Sequence, residues 1–134
     1  GSMTAMKLQK LVYYSQAWSL VWDEKPLFNE KIEAWINGPV VPVLYEHHKG
    51  HYFLDPQHIS KGNIENLDEN QIDTINQVLK YYGDKNPQWL SDLTHMEDPW
   101  QIARKGLADN IRGSREITLE SMIEYYSSLP SENS

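Results

Sequence analysis

The stretch from Thr4 to Trp22 contains neither glycine nor proline, and its apolar residues recur at helical spacing. Leu8, Leu11, Val12, Ser15, Trp18 and Trp22 share one face, and Tyr14, Ala17 and Val21 add a second apolar edge. A helix with so wide a stripe cannot sit on a surface. It must pack on more than one side, with Thr4 as its N-cap and its aromatics as core.

The remaining segments read as shorter pieces arranged around that helix. Asp23-Glu24-Lys25-Pro26 ends it, since proline cannot continue a helix and biases Lys25 toward extended geometry. Leu27–Phe28 and Ile32–Ile36 read as two short strands, a small hairpin around Asn29-Glu30-Lys31. Within it Ile32, Ala34 and Ile36 share one face, with Glu33 and Trp35 on the other. Asn37-Gly38-Pro39 reads as a turn, because Gly38 can take positive φ and Pro39 fixes the next dihedral. Pro42 suits the first turn of a helix reaching about Lys49, with Val43, Leu44 and His47 inside and Gly50 as its stop. His51 to Asn66 is polar and irregular.

Asp68 and Gln71 have capping-box spacing for a helix with Ile72, Ile75, Leu79 and Tyr82 inside and Gly83 after its end. Asn86-Pro87 opens a helix burying Leu90 and Leu93, and Asp98-Pro99 opens another that reaches Lys105. Residues 107–117 read as loop, and Thr118 caps a last helix carrying Met122, Ile123, Tyr126 and Leu129. The expected fold is predominantly α-helical (α+β), a helical domain with a short antiparallel β-hairpin. Residues 4–129 are expected to form one domain, with residues 1–3 a tag remnant and start, and residues 130–134 a polar tail.

Composition narrows the function. With no cysteine, the chain has no disulfide framework, thiolate zinc site or cysteine nucleophile. No segment approaches the roughly 20 apolar residues of a membrane span, and no signal peptide opens the chain, so a cytoplasmic location is expected. The net charge of −7 disfavours direct binding of nucleic acid, whose phosphates it would repel on average.

Catalytic and metal constellations are sparse. His47 and His51 have the i,i+4 spacing of paired zinc ligands, with His58 a third candidate. Gly50 interrupts the helix, however, and His48 stands where a zincin pattern requires glutamate. A metalloenzyme or hydrolase using His47, His51 or His95 is therefore the remote reading. Asp23-Glu24, Asp68-Glu69 and Glu97-Asp98 sit at helix ends, where caps and dipoles explain them. No nucleophile elbow or phosphate-cradling glycine loop occurs. No cofactor, metal or enzymatic activity is expected.

Three stretches in order carry a family resemblance. They are Met6-Lys7-Leu8-Gln9-Lys10-Leu11-Val12-Tyr13-Tyr14-Ser15-Gln16; Leu27-Phe28, Ala34-Trp35 and Gly38-Pro39-Val40-Val41-Pro42 with Tyr45; and Leu90-Ser91-Asp92-Leu93-Thr94-His95 followed by Pro99-Trp100. Together they resemble the Panacea-type, SocA-like antitoxin domain over about residues 4 to 126. The resemblance implies an antitoxin that neutralises a cognate toxin, the product of a neighbouring gene, by direct protein–protein binding. It also implies two alternatives, an adaptor that delivers the toxin to a protease and a phage or prophage regulator. Many members carry a helix before the first stretch, where this sequence has only Gly1 to Thr4, so a short or trimmed start is expected. The signature residues Trp35, Gly38, Pro39, Pro42, Tyr45, His95, Pro99 and Trp100 are expected to build the fold first and to meet a partner second.

Overall fold

Thr4 takes extended backbone angles, and its hydroxyl accepts a hydrogen bond from Lys7 N at 3.0 Å. That cap starts the central helix. The structure, a computed structural model, describes residues 3–50, 53–54 and 68–129. In chain order these form β1 (Met3–Thr4), α1 (Ala5–Trp22), β2 (Ile32–Trp35), β3 (Gly38–Val40), α2 (Pro42–His48) and β4 (Phe53–Leu54). They continue as α3 (Glu69–Tyr82), α4 (Pro87–His95), α5 (Asp98–Ala103), β5 (Glu116–Ile117) and α6 (Leu119–Ser127). The domain is mainly helical, with a small antiparallel sheet of order β3-β2-β5 and a two-stranded pairing of β1 with β4.

Helix α1 packs against α3, α4, α6 and β3. Leu11, Tyr13, Tyr14, Ala17 and Leu20 are buried along it, against Val78, Tyr82, Leu90, Met122 and Tyr126. This corrects the expected face: Trp22 is half exposed, whereas the polar Gln9, Lys10, Gln16 and Ser19 are buried. The polar side chains lie inward because each holds distant backbone. Gln9 accepts from Val41 N at 2.9 Å and donates to Val41 O at 3.4 Å. Two turns on, Gln16 accepts from Leu27 N at 2.7 Å and donates to Phe28 O at 2.9 Å. Each primary amide thus offers a peptide segment the donor and acceptor that a neighbouring strand would offer.

Those contacts explain why Leu27–Phe28 is not a strand, as the sequence suggested. Its backbone groups are held by Gln16, and β2 pairs instead with β3, matching Ala34 to Pro39 and Trp35 to Gly38. Ile36 and Asn37 form the turn, while Gly38 and Pro39 belong to the strand that follows. Gly38 has φ 120 there, and an added Cβ would stand 2.6 Å from Lys10 Cε and 2.8 Å from Thr94 Oγ1. Only glycine fits both the backbone angle and the space. The expected loop 107–117 contains β5, whose Ile117 opposes Ile32.

Other helices bury faces slightly rotated from those expected. In α2 the inward residue is His48, while His47 and Val43 are exposed. Thr74, Val78 and Tyr82 form the inner row of α3, and Leu79 is exposed. Its capping box forms as anticipated, although Gly83 has φ −66 and not a left-handed conformation. Helix α5 starts one residue early, with Glu97 at the N-cap position and its side chain making no cap bond. That carboxylate is turned into the core. The caps Asn86 and Thr118 form as expected, and Ile123 of α6 is exposed. No helix among the described residues is long and apolar enough to cross a membrane.

Candidate partner-binding groove

Beneath the β2–β3 turn, four consecutive carbonyls each accept a hydrogen bond from a side chain of α4, α5 or the residue after α5. Arg104 Nη1 donates to Ala34 O at 3.0 Å and Trp100 Nε1 to Trp35 O at 2.8 Å. His95 Nε2 lies 2.6 Å from Ile36 O, and Ser91 Oγ donates to Asn37 O at 2.7 Å. A strand end and tight turn that would otherwise depend on water are held from below, at four successive points. The clamp is itself braced. His95 Nδ1 contacts Ser91 O at 2.5 Å, its ring lies 4.2 Å from that of Trp100, and the Arg104 guanidinium lies over Trp100 at 5.1 Å. Arg104 also bonds the carbonyls of Ala108 and Ile111, while its Nε is buried without a partner among the described residues.

On its other side the turn borders a groove of about 790 Å3. The first turns of α1 supply Met6, Gln9 and Lys10, the hairpin supplies Trp35 and Val40, and α2 supplies Tyr45 and His48. Arg112 to Ser114, from the chain after α5, complete the described lining. Trp35 and Tyr45 meet edge to face at 5.0 Å and make an aromatic wall, with the indole N–H donating to Glu33 at 2.9 Å. His48 Nε2 is engaged by Gln9 Nε2 at 2.8 Å. The size and mixed lining are those of a site that takes a small molecule or a few residues of a peptide.

Lys10 is the unusual residue. It is 1% exposed, yet among the described residues its ammonium has one acceptor, Pro39 O at 3.3 Å. Burial lowers its pKa to about 8. The side chain can lie where it does because Gly38 has no Cβ.

The signature residues therefore divide in two. Trp35 and Tyr45 line the groove, whereas Pro39 and Trp100 are buried, Pro99 is buried beside Trp100, and His95 braces the turn. Gly38 makes room for Lys10, and Pro42 occupies the first turn of α2. His95 reaches carbonyls and does not pair with Glu97 or Asp98. Sequence reasoning took Gln9 and Lys10 only as parts of a motif and missed their place in the groove. The usable signal was two glutamines seven residues apart on one helix. His51 and His58 lie outside the described residues, and among the described ones no three His, Asp or Glu side chains converge as metal ligands.

A second polar cluster lies deeper. Glu97, 5% exposed, accepts from Tyr14 and Tyr126 at 2.7 Å each, and Tyr13 and Tyr126 share a hydrogen bond of 2.9 Å. Burial raises the carboxyl to about 7, against the lowering effect of the two tyrosine bonds.

Comparison with known proteins places this architecture. Antitoxin SocA of Caulobacter vibrioides (strain NA1000 / CB15N) is 29% identical over 117 residues, which cover 79% of this chain and 62% of that protein. The chain thus spans less than two thirds of that relative's length. No solved structure matches. The family described as antitoxin SocA-like, Panacea domain, matches residues 8–101, a span holding most of the groove and the whole carbonyl clamp except Arg104. The chain belongs to the SocA-like Panacea antitoxin family.

Proposed function

We propose that this chain is an antitoxin that neutralises a toxic protein, the product of a neighbouring gene, by binding it directly. The family match over residues 8–101 carries the reading. The groove supports binding as its mode of action. Its aromatic wall and buried lysine suit recognition of a protein segment, and its histidine, His48, is already engaged by Gln9. The clamp beneath the turn supports the same reading, since a pre-formed wall loses little freedom on binding.

Expression of the neighbouring gene, alone and together with this chain, tests the proposal. Growth arrest by the neighbour, relieved on co-expression and accompanied by co-purification of the two proteins, is the expected result. A harmless neighbour, or one that stays toxic in the presence of this chain, would overturn it. Relief with a shortened toxin lifetime would replace masking by delivery to a protease.

A further inference from the structure

We propose that the groove between the start of α1 and the β2–β3 hairpin receives a carboxylate side chain of the partner protein, with Lys10 as its buried counter-charge and Arg112 at the rim. The inference rests on the partner-binding reading and names the chemistry of the segment that enters.

Charge comes first. The chain carries 19 acidic residues, yet among the described residues none that lines the groove is acidic. Two of them, Lys10 and Arg112, are cations. Lys10 lies at the wall and is almost wholly buried, and it shows one acceptor for three N–H donors. No carboxylate among the described residues pairs with it. A buried ammonium in that state is costly, and an entering carboxylate would supply the missing charge and acceptors. Arg112 is exposed and lines the same groove, where it can meet the same anion before it is desolvated.

Shape supplies the second argument. Trp35 and Tyr45 form an aromatic wall, with Met6 and Val40 among the apolar lining. A segment with an apolar residue beside its acidic one would cover that surface while placing the carboxylate on Lys10. A nucleic acid suits the site less well, since two cations in a chain of net charge −7 form no track for a phosphate backbone.

The probes are two acetylated, amidated dipeptides, Phe-Glu and Phe-Gln, titrated into the 15N-labelled full chain with the Trp35 indole N–H as reporter. Saturable shifts at Trp35 are expected with Phe-Glu, with affinity at least about tenfold above Phe-Gln. K10M should abolish that preference, and R112E should weaken Phe-Glu binding by about tenfold. If K10M fails to fold, R112E alone carries the decision, because Arg112 is exposed. Equal shifts with both peptides, no shift with either, or an unaffected R112E would overturn the inference. In the co-expression assay R112E is expected to lose neutralisation. Wild-type neutralisation that R112E fully retains would sink the groove inference and leave the antitoxin reading standing. A wild type that binds no neighbouring product would sink the antitoxin reading itself.

Discussion

Tyr126 donates a hydrogen bond of 2.7 Å to Oε1 of Glu97, joining the last helix to the start of α5 inside the core. The same oxygen accepts from Tyr14, and among the described residues no cation faces it. Burial therefore dominates, and the carboxyl is pushed up to about 7. The folded state binds this proton more tightly than the unfolded chain, where the group titrates near 4.5. The resulting stability is fully present below about pH 4.5 and is lost as pH rises through 7. Gln at this position mimics the protonated acid. Wild type should accordingly lose up to about 3 kcal/mol relative to E97Q between pH 5 and pH 8. Urea melts of both proteins across that range check it. A difference that does not change with pH would mean that Glu97 is not titrating in the core.

The two tyrosine bonds should follow the same proton. Hydrogen bonds to a charged acceptor are worth about 1.5–3 kcal/mol, against about 0.5–1.5 for neutral pairs. Y14F is therefore expected to cost about 2 kcal/mol at pH 8, where Glu97 is ionised, and about 1 kcal/mol at pH 5. Y126F should cost more at both, since Tyr126 also bonds Tyr13. Stability curves at the two pH values, for each variant and for E97Q with Y14F, measure the coupling.

Much of this fold is legible in the sequence, and the rest hides for a physical reason. Helix starts at Thr4, Asp68, Asn86 and Thr118 are visible because an N-cap and its partner lie within three residues. The inner face of α1 is not visible. Hydropathy places Gln9, Lys10 and Gln16 outside, and what draws them in is backbone at Val41, Pro39, Leu27 and Phe28, 11 to 32 residues away. The hairpin partner is misjudged for the same reason, because Gln16 occupies the backbone of Leu27–Phe28. The groove is half legible. Its aromatic wall comes from motif residues Trp35 and Tyr45, while Arg112 carries no local signal and reaches the groove only through the path of the chain after α5.

Gly38 and Lys10 compete for one volume. Gly38→Ala would place a Cβ 2.6 Å from Lys10 Cε on a backbone at φ 120. The backbone strain alone is worth about 1–3 kcal/mol, and the contact adds to it. We expect G38A to lose about 3 kcal/mol of stability in denaturant melts. Shortening the lysine should relieve the contact but not the dihedral, so G38A with K10A should fall short of the sum of the two single losses by about 1 kcal/mol. Strict additivity would show that the two positions do not share that space.

The carbonyl clamp separates the shape of the turn from its chemistry. Ser91→Ala removes only the donor to Asn37 O, at the exposed end of the turn, where water can replace it. Its cost should stay at about 1 kcal/mol. Trp100→Phe keeps a ring in the core but leaves Trp35 O without its donor, 2.8 Å away in the wild type, and opens a small void. Its cost should reach about 2–4 kcal/mol. The more telling readout is local. With the Trp35 carbonyl released, amide exchange of Ile36 and Asn37 should accelerate by about tenfold or more under conditions where the α1 amides remain protected. Equal acceleration across α1 would show that Trp100 holds the whole core together and has no particular hold on the turn.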